Sequence, residues 1–166
     1  MYQHQLSTQP ADDVRREGAS AEGVSFDGRK VSWWLSTDLR SVRRARRLAR
    51  ETLVEWGFDD QVEVAELLVS ELVGNALDHA RGQVGLSFSA DDGLLRCVVE
   101  DEDPELPCMR TVDEDAESGR GLFLVDMLSN RWGAVPTAQG GKAIWFELPA
   151  FADAEVEMLD ALAVAA

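Results

Sequence analysis

The stretch QVGLSFSADDGLLRCVVED, residues 83–101, constrains the fold more than any other part of the chain. Two runs, QVGLSFS and LLRCVVED, flank ADDG. Asp92-Gly93 suits the positive backbone angles of a tight hairpin, because glycine has no Cβ to clash and aspartate tolerates the left-handed region. Two antiparallel strands are therefore predicted here, and a sheet needs a partner layer to bury its apolar side.

The rest of the chain supplies that layer. VSFDGRKVSWWLS reads as a strand or short hairpin around Asp27-Gly28, and Thr37 or Asp38 is placed to cap a following helix that ends near Trp56 at Gly57. A second helix is predicted over about residues 60–81, with Asp59 or Asp60 as N-cap and Gly82 beyond its end. Residues 102–118 are acidic, contain prolines and read as irregular. GRGLFLVDMLSN opens on two glycines and continues with Leu122, Val125 and Leu128 at helical spacing, giving a short third helix. RWGAVP and KAIWFELP, separated by TAQGG, read as two further strands. The simplest packing of these elements is an α/β (α+β) two-layer sandwich, a mainly antiparallel mixed sheet with helices on one face.

At 166 residues the chain suits one domain. The expected division is a flexible tail over residues 1–22, a folded domain over 23–150, and a tail over 151–166 whose Val156, Leu159, Leu162 and Ala163 fit a short amphipathic helix. The start MYQHQLSTQP has no secretory pattern, and the apolar runs are far short of the roughly 20 residues that cross a bilayer, so a soluble cytoplasmic protein is expected. A formal net charge of −15 argues against general attraction to nucleic acid or anionic lipid. Cys97 and Cys108 lack metal-site spacing, and Cys97 reads as a small core residue. One basic helix stands apart: Arg40, Arg43, Arg44, Arg47 and Arg50 recur at spacings of three and four, either as a solvated face or as a docking face for an acidic partner.

Three segments carry possible chemistry. In ELLVSELVGNALDHA, residues 66–80, Glu71, Asn75 and Asp78 fall within one arc of the second helix. They suit either a hydrogen-bond network or a phosphate-bound Mg²⁺ site, where oxygen ligands and a carboxylate able to deprotonate a nucleophile are needed. Asp101 ends an apolar strand beside Pro104 and Pro107, so it is either a strand-terminating acid or an acceptor for an amino group on a flat ring. Gly119-Arg120-Gly121 enters the third helix, either as a plain turn or as a phosphate cradle of free backbone amides. It is not a P-loop, since GxxxxGK[ST] is absent.

Taken together, acid-x-x-x-Asn on a helix, strand-Asp-x-x-Pro, GxG-Leu entering a helix and a closing Gly-Gly-Lys strand resemble the N box and glycine boxes of the GHKL ATP-binding superfamily, the Bergerat fold. ELLVSELVGNALDHA, ESGRGLFLVDMLSNRWG and GGKAIWFELP look most like its single-domain anti-sigma-factor serine/threonine kinases. The resemblance implies ATP and Mg²⁺ as cofactors, with Asn75 as the metal ligand and Glu71 as the catalytic carboxylate. Asp101 would accept the adenine amino group. Gly119, Arg120, Gly121 and Leu122 would meet the phosphates, and Asp78 is a further candidate nucleotide contact; His79 stays open. It also implies a STAS-type antagonist as substrate, a sigma factor as a possible partner, and a homodimer. Neither His4 nor His79 has the setting of a sensor kinase's phosphoacceptor.

The chain departs from the family pattern in three places. Asp103 and Glu105 stand where the first glycine box, Asp-x-Gly-x-Gly, has its glycines, and added negative charge there is expected to weaken nucleotide binding unless both side chains point to solvent. Lys142-Ala143 follows Gly141 where a Thr or Ser is usual, so a hydroxyl contact near the adenine is expected to be missing. These departures motivate an alternative function, a nucleotide-responsive binding module with little or no kinase activity.

Overall fold

The computed structural model describes residues 28–79, 82–107 and 120–150. Its elements run β1 (Arg29–Leu35), α1 (Arg40–Trp56), α2 (Val62–His79), β2 (Val84–Asp91), β3 (Leu94–Asp101), α3 (Arg120–Leu128), β4 (Arg131–Pro136) and β5 (Lys142–Pro149). The five strands form one sheet in the order β1-β2-β3-β5-β4. Every neighbouring pair is antiparallel, so no strand makes the sheet mixed. The expected tails at residues 1–22 and 151–166, and Cys108, lie outside the described residues.

The β2–β3 hairpin forms as its turn residues dictate. Asp92 and Gly93 both adopt positive φ, 48° and 73°, and pair Asp91 with Leu94 across a two-residue loop. That register puts Leu86 opposite Val99 and Phe88 opposite Cys97, and β5 continues the row with Ile144 and Phe146. All six are buried, and they make the floor on which the helices pack. Phe88 also meets Trp33 of β1 edge to face, with ring centroids 6.2 Å apart. Cys97 is in the core as expected, and burial pushes its thiol well above the usual range.

The helices cover this one face. On α1, Ala45, Ala49, Thr52 and Leu53 face inward while the arginines stay exposed. Arg50 is already committed, since its Nε and Nη2 donate to Glu66 on α2 at 2.9 and 2.7 Å. Asp38 takes up the orphan amide of Arg40 at 2.9 Å. Gly57, at φ 80°, closes α1 in a Schellman arrangement in which Phe58 N–H reaches the Leu53 carbonyl at 2.8 Å. Phe58 then leaves helical geometry and is buried, so Asp59–Gln61 form a separate 3₁₀ turn and α2 begins two residues later than expected.

The opposite face of the sheet carries no helix among the described residues. There Arg96 lies over the Trp145 ring, 4.5 Å from its centroid, and its Nε donates to the buried Glu147 at 2.9 Å. Gly133 leaves room for the Trp145 ring, which an added Cβ would meet at 2.8 Å.

Candidate nucleotide site

The buried stripe of α2 is Val62, Ala65, Leu68, Val69, Leu72, Val73 and Ala76. Glu71 and Asn75 flank that stripe and are half-buried, while Asp78 and His79 at the helix end are exposed. The polar residues are therefore not misplaced core positions; they line the side of α2 against which α3 packs. Among the described residues neither Glu71 nor Asn75 has a hydrogen-bond partner, which leaves the hydrogen-bond-network reading of this face unsupported.

Gly121 defines how α3 approaches. A Cβ added there would lie 2.8 Å from Asn75 Nδ2 and 3.2 Å from Glu71 Oε2, so the first turn of α3 rests directly on the acid and the amide. A side chain at this position would push the Asn75 amide aside. The first amides of a helix lack acceptors within their own helix, so α3 brings such N–H groups and the positive end of its dipole to Glu71 and Asn75. Arg120 is exposed at this end, and the Leu122 side chain is buried in the core, which leaves only its backbone for the site. Gly119 lies outside the described residues.

The second half of the site is where β3 ends and β5 begins. Asp101 pairs in register with Lys142, on the helix-facing side of the sheet. The β4–β5 turn delivers Lys142 there: Gly141 N–H donates to Thr137 Oγ1 at 3.0 Å, Gly140 adopts φ 89°, and an added Cβ on Gly141 would meet the Asp101 carbonyl at 1.9 Å. The Lys142 ammonium sits 3.2 Å from Asp101 Oδ1 and donates to Asp103 Oδ2 at 2.8 Å and to the Asp103 carbonyl at 3.4 Å. Asp101 and Lys142 are buried, their side chains only 3% and 8% exposed.

The two acids at the expected glycine positions thereby find a structural account. Asp103 N–H donates to Asp101 Oδ1 at 2.9 Å, and Glu105 N–H donates to Asp103 Oδ1 at 3.1 Å. Two successive Asx turns thus shape the loop after β3. Glu105 points to solvent, but Asp103 does not: Lys142 neutralises it. The Lys142 hydrogen bond, then the Glu105 amide, hold the Asp103 carboxyl below the usual carboxylate range, with His79 at the end of α2 adding a smaller attraction. Lys142, which follows Gly141 where a Thr or Ser is usual, places its ammonium 3.2 Å from Asp101 Oδ1 and hydrogen-bonds to Asp103. Sequence reasoning marked Lys142 within the closing Gly-Gly-Lys strand and as part of the Lys142-Ala143 departure but did not place it beside Asp101, because β3 and β5 are distant in the chain.

A five-stranded sheet covered on one face by helices, with the acid and amide of α2 under the first turn of α3, is the arrangement that the comparisons with known proteins also find. Residues 35–148 match the histidine kinase-like ATPase domain, and the chain belongs to that family. Over 82 residues it is 38% identical to the serine/threonine-protein kinase RsbT of Bacillus subtilis (strain 168), covering 46% of this chain and 61% of that kinase. The chain thus spans less than two thirds of that relative's length. The crystallised RsbU and RsbW domains of Rv1364c from Mycobacterium tuberculosis share the fold, with a TM-score of 0.57 and 20% identity over 73% of this chain and 32% of that one. No described helix is long and apolar enough to cross a membrane.

Proposed function

We propose that the protein is an ATP-dependent serine/threonine protein kinase of the anti-sigma-factor type, with residues 23–150 as its kinase domain. The observation that carries this reading is the seat of Gly121 on Asn75 and Glu71, which brings a carboxylate and an amide side chain to the first turn of α3. Asn75 would hold Mg²⁺, whose chemistry at such a site is neutralisation of phosphate charge. The amides of Arg120, Gly121 and Leu122, with Gly119 before them, orient the phosphates. Glu71 would position the attacking hydroxyl and take its proton as the ester bond to the γ-phosphorus forms and the bond from that phosphorus to the β–γ bridging oxygen breaks, with ADP as the leaving group. Asp78, exposed at the end of α2, is the outermost candidate contact, and Asp101 faces the base.

The substrate in this reading is a STAS-type antagonist, with a sigma factor as a second partner and a homodimer as the working unit; the kinship with RsbT and the family resemblance support it. Incubation with Mg-ATP and the STAS protein encoded beside it is expected to yield phosphoserine or phosphothreonine, and Glu71→Ala to abolish the transfer. Undiminished transfer by that variant would remove Glu71 from the mechanism.

One observation favours the alternative, a nucleotide-responsive binding module: Asp101 Oδ1 is already ion-paired with Lys142. In that case Mg-ATP changes partner affinity in a titration while no partner becomes phosphorylated.

A further inference from the structure

The carboxylate at the end of β3 is tied at one oxygen and open at the other. Asp101 Oδ1 accepts the Asp103 N–H at 2.9 Å and lies 3.2 Å from the Lys142 ammonium. Oδ2 has no partner among the described residues. It is not sealed in protein either, because the buried side-chain atom without a partner among those residues is Glu147 Oε2. The tie on Oδ1 is itself held from outside. Lys142 donates to the Asp103 carboxylate at 2.8 Å and to the Asp103 carbonyl at 3.4 Å, so it grips the residue whose amide meets Asp101. Gly141 sets where that ammonium stands, since it lets β5 cross the end of β3 and donates its own N–H to Thr137 Oγ1. Lys142 and Asp101 are both buried, so neither swings into water without stranding the other's charge.

We propose that Lys142 and Asp103 are positioning residues for the base: together they fix Asp101 by Oδ1 and leave Oδ2 as the acceptor for an amino group on a purine ring. The proposal rests on the nucleotide-binding reading above, in either of its forms. A carboxylate free to rotate must be ordered when a base arrives, whereas one already held has that cost removed in advance. An ionised carboxylate oxygen only accepts, so it distinguishes an amino group from a hydrogen at the same ring position. Without the ammonium, two carboxylates would crowd one end of the sheet, and their repulsion would open the turn that holds Oδ1. Asp103 and Lys142 thus act as the two halves of one strut.

The test measures, by calorimetry, binding of Mg-ATP and of the magnesium complex of purine riboside triphosphate, which has hydrogen in place of the amino group. Wild type, Lys142→Met, Asp103→Asn and Asp101→Asn are compared; Lys142→Met keeps the length of the side chain and removes its charge. A hydrogen bond to a charged acceptor is worth about tenfold or more in affinity, so wild type is expected to prefer ATP by at least about tenfold. In Lys142→Met that preference is expected to fall to about threefold or less. Asp103→Asn, which keeps the amide and weakens only the grip on it, is expected to lose less, and Asp101→Asn, left with a neutral acceptor, to lose most. A role confined to folding would lower both affinities together and leave their ratio at the wild-type value. If Lys142→Met fails to fold by circular dichroism, the ratio in Asp103→Asn decides in the same way. A wild type without preference, or a Lys142→Met or Asp101→Asn that keeps the wild-type ratio, overturns the inference and leaves the nucleotide reading standing. Absence of binding of either nucleotide by wild type overturns the nucleotide reading, and the inference with it.

Discussion

Replacing Gly121 by alanine separates the cost of folding from the cost of function. The new Cβ would lie 2.8 Å from Asn75 Nδ2, 3.2 Å from Glu71 Oε2 and 3.3 Å from Glu71 Cβ. The closest of these atoms is the end of a half-buried side chain with no hydrogen bond to break among the described residues, so Asn75 swings away cheaply. Against the small crowding cost stands the helical preference of alanine over glycine, about 1 kcal/mol in a helix interior and less at its first turn. The net change in stability is therefore expected within about 1 kcal/mol of zero. Function has no such compensation, because displacing a positioning group by about 1 Å costs on the order of 100-fold in rate. Urea denaturation and phosphoryl transfer, measured on the same preparation, check both halves. A variant with unchanged transfer would show that the meeting of α3 with Glu71 and Asn75 is not the reacting centre. A variant that unfolds would show that the contact is rigid core packing instead.

Two other perturbations probe the far end of the site. Gly141→Ala puts a Cβ 1.9 Å from the Asp101 carbonyl, and backbone cannot swing aside as a side chain does; a loss of about 3 kcal/mol is expected, seen as a fall in melting temperature on the order of 10 °C, and a fall of only a degree or two would show that β5 does not cross β3 so closely. Asp103 has a folded pKa below its unfolded one, so its contribution is fully present above about pH 4 and is lost as pH falls through the folded value. The stability difference between wild type and Asp103→Asn, from urea curves, is accordingly expected to be largest near neutrality and to shrink below about pH 4; a difference that grows on acidification would contradict the Lys142 pairing.

Local chemistry alone was enough for much of the fold. Asp92-Gly93 determines the β2–β3 hairpin because the positive φ it needs is set by those two residues, and Gly57 ends α1 for the same kind of reason. The arc holding Glu71, Asn75 and Asp78 follows from helical period, since their placement on α2 needs no other element. The start of α2 was less legible, because it depends on where Phe58 finds its buried seat rather than on the acids that precede the helix. Asp101, Asp103 and Lys142 were each visible in the chain, but their union was not. It requires β5 to insert beside β3 in the order β1-β2-β3-β5-β4, about forty residues along, and Gly141 to let the two backbones nearly touch. Sequence by itself determined which residues share a helix face or a turn; tertiary structure alone decided that Lys142 pairs with Asp101 and Asp103, because ion pairing is set by distance in space and not along the chain.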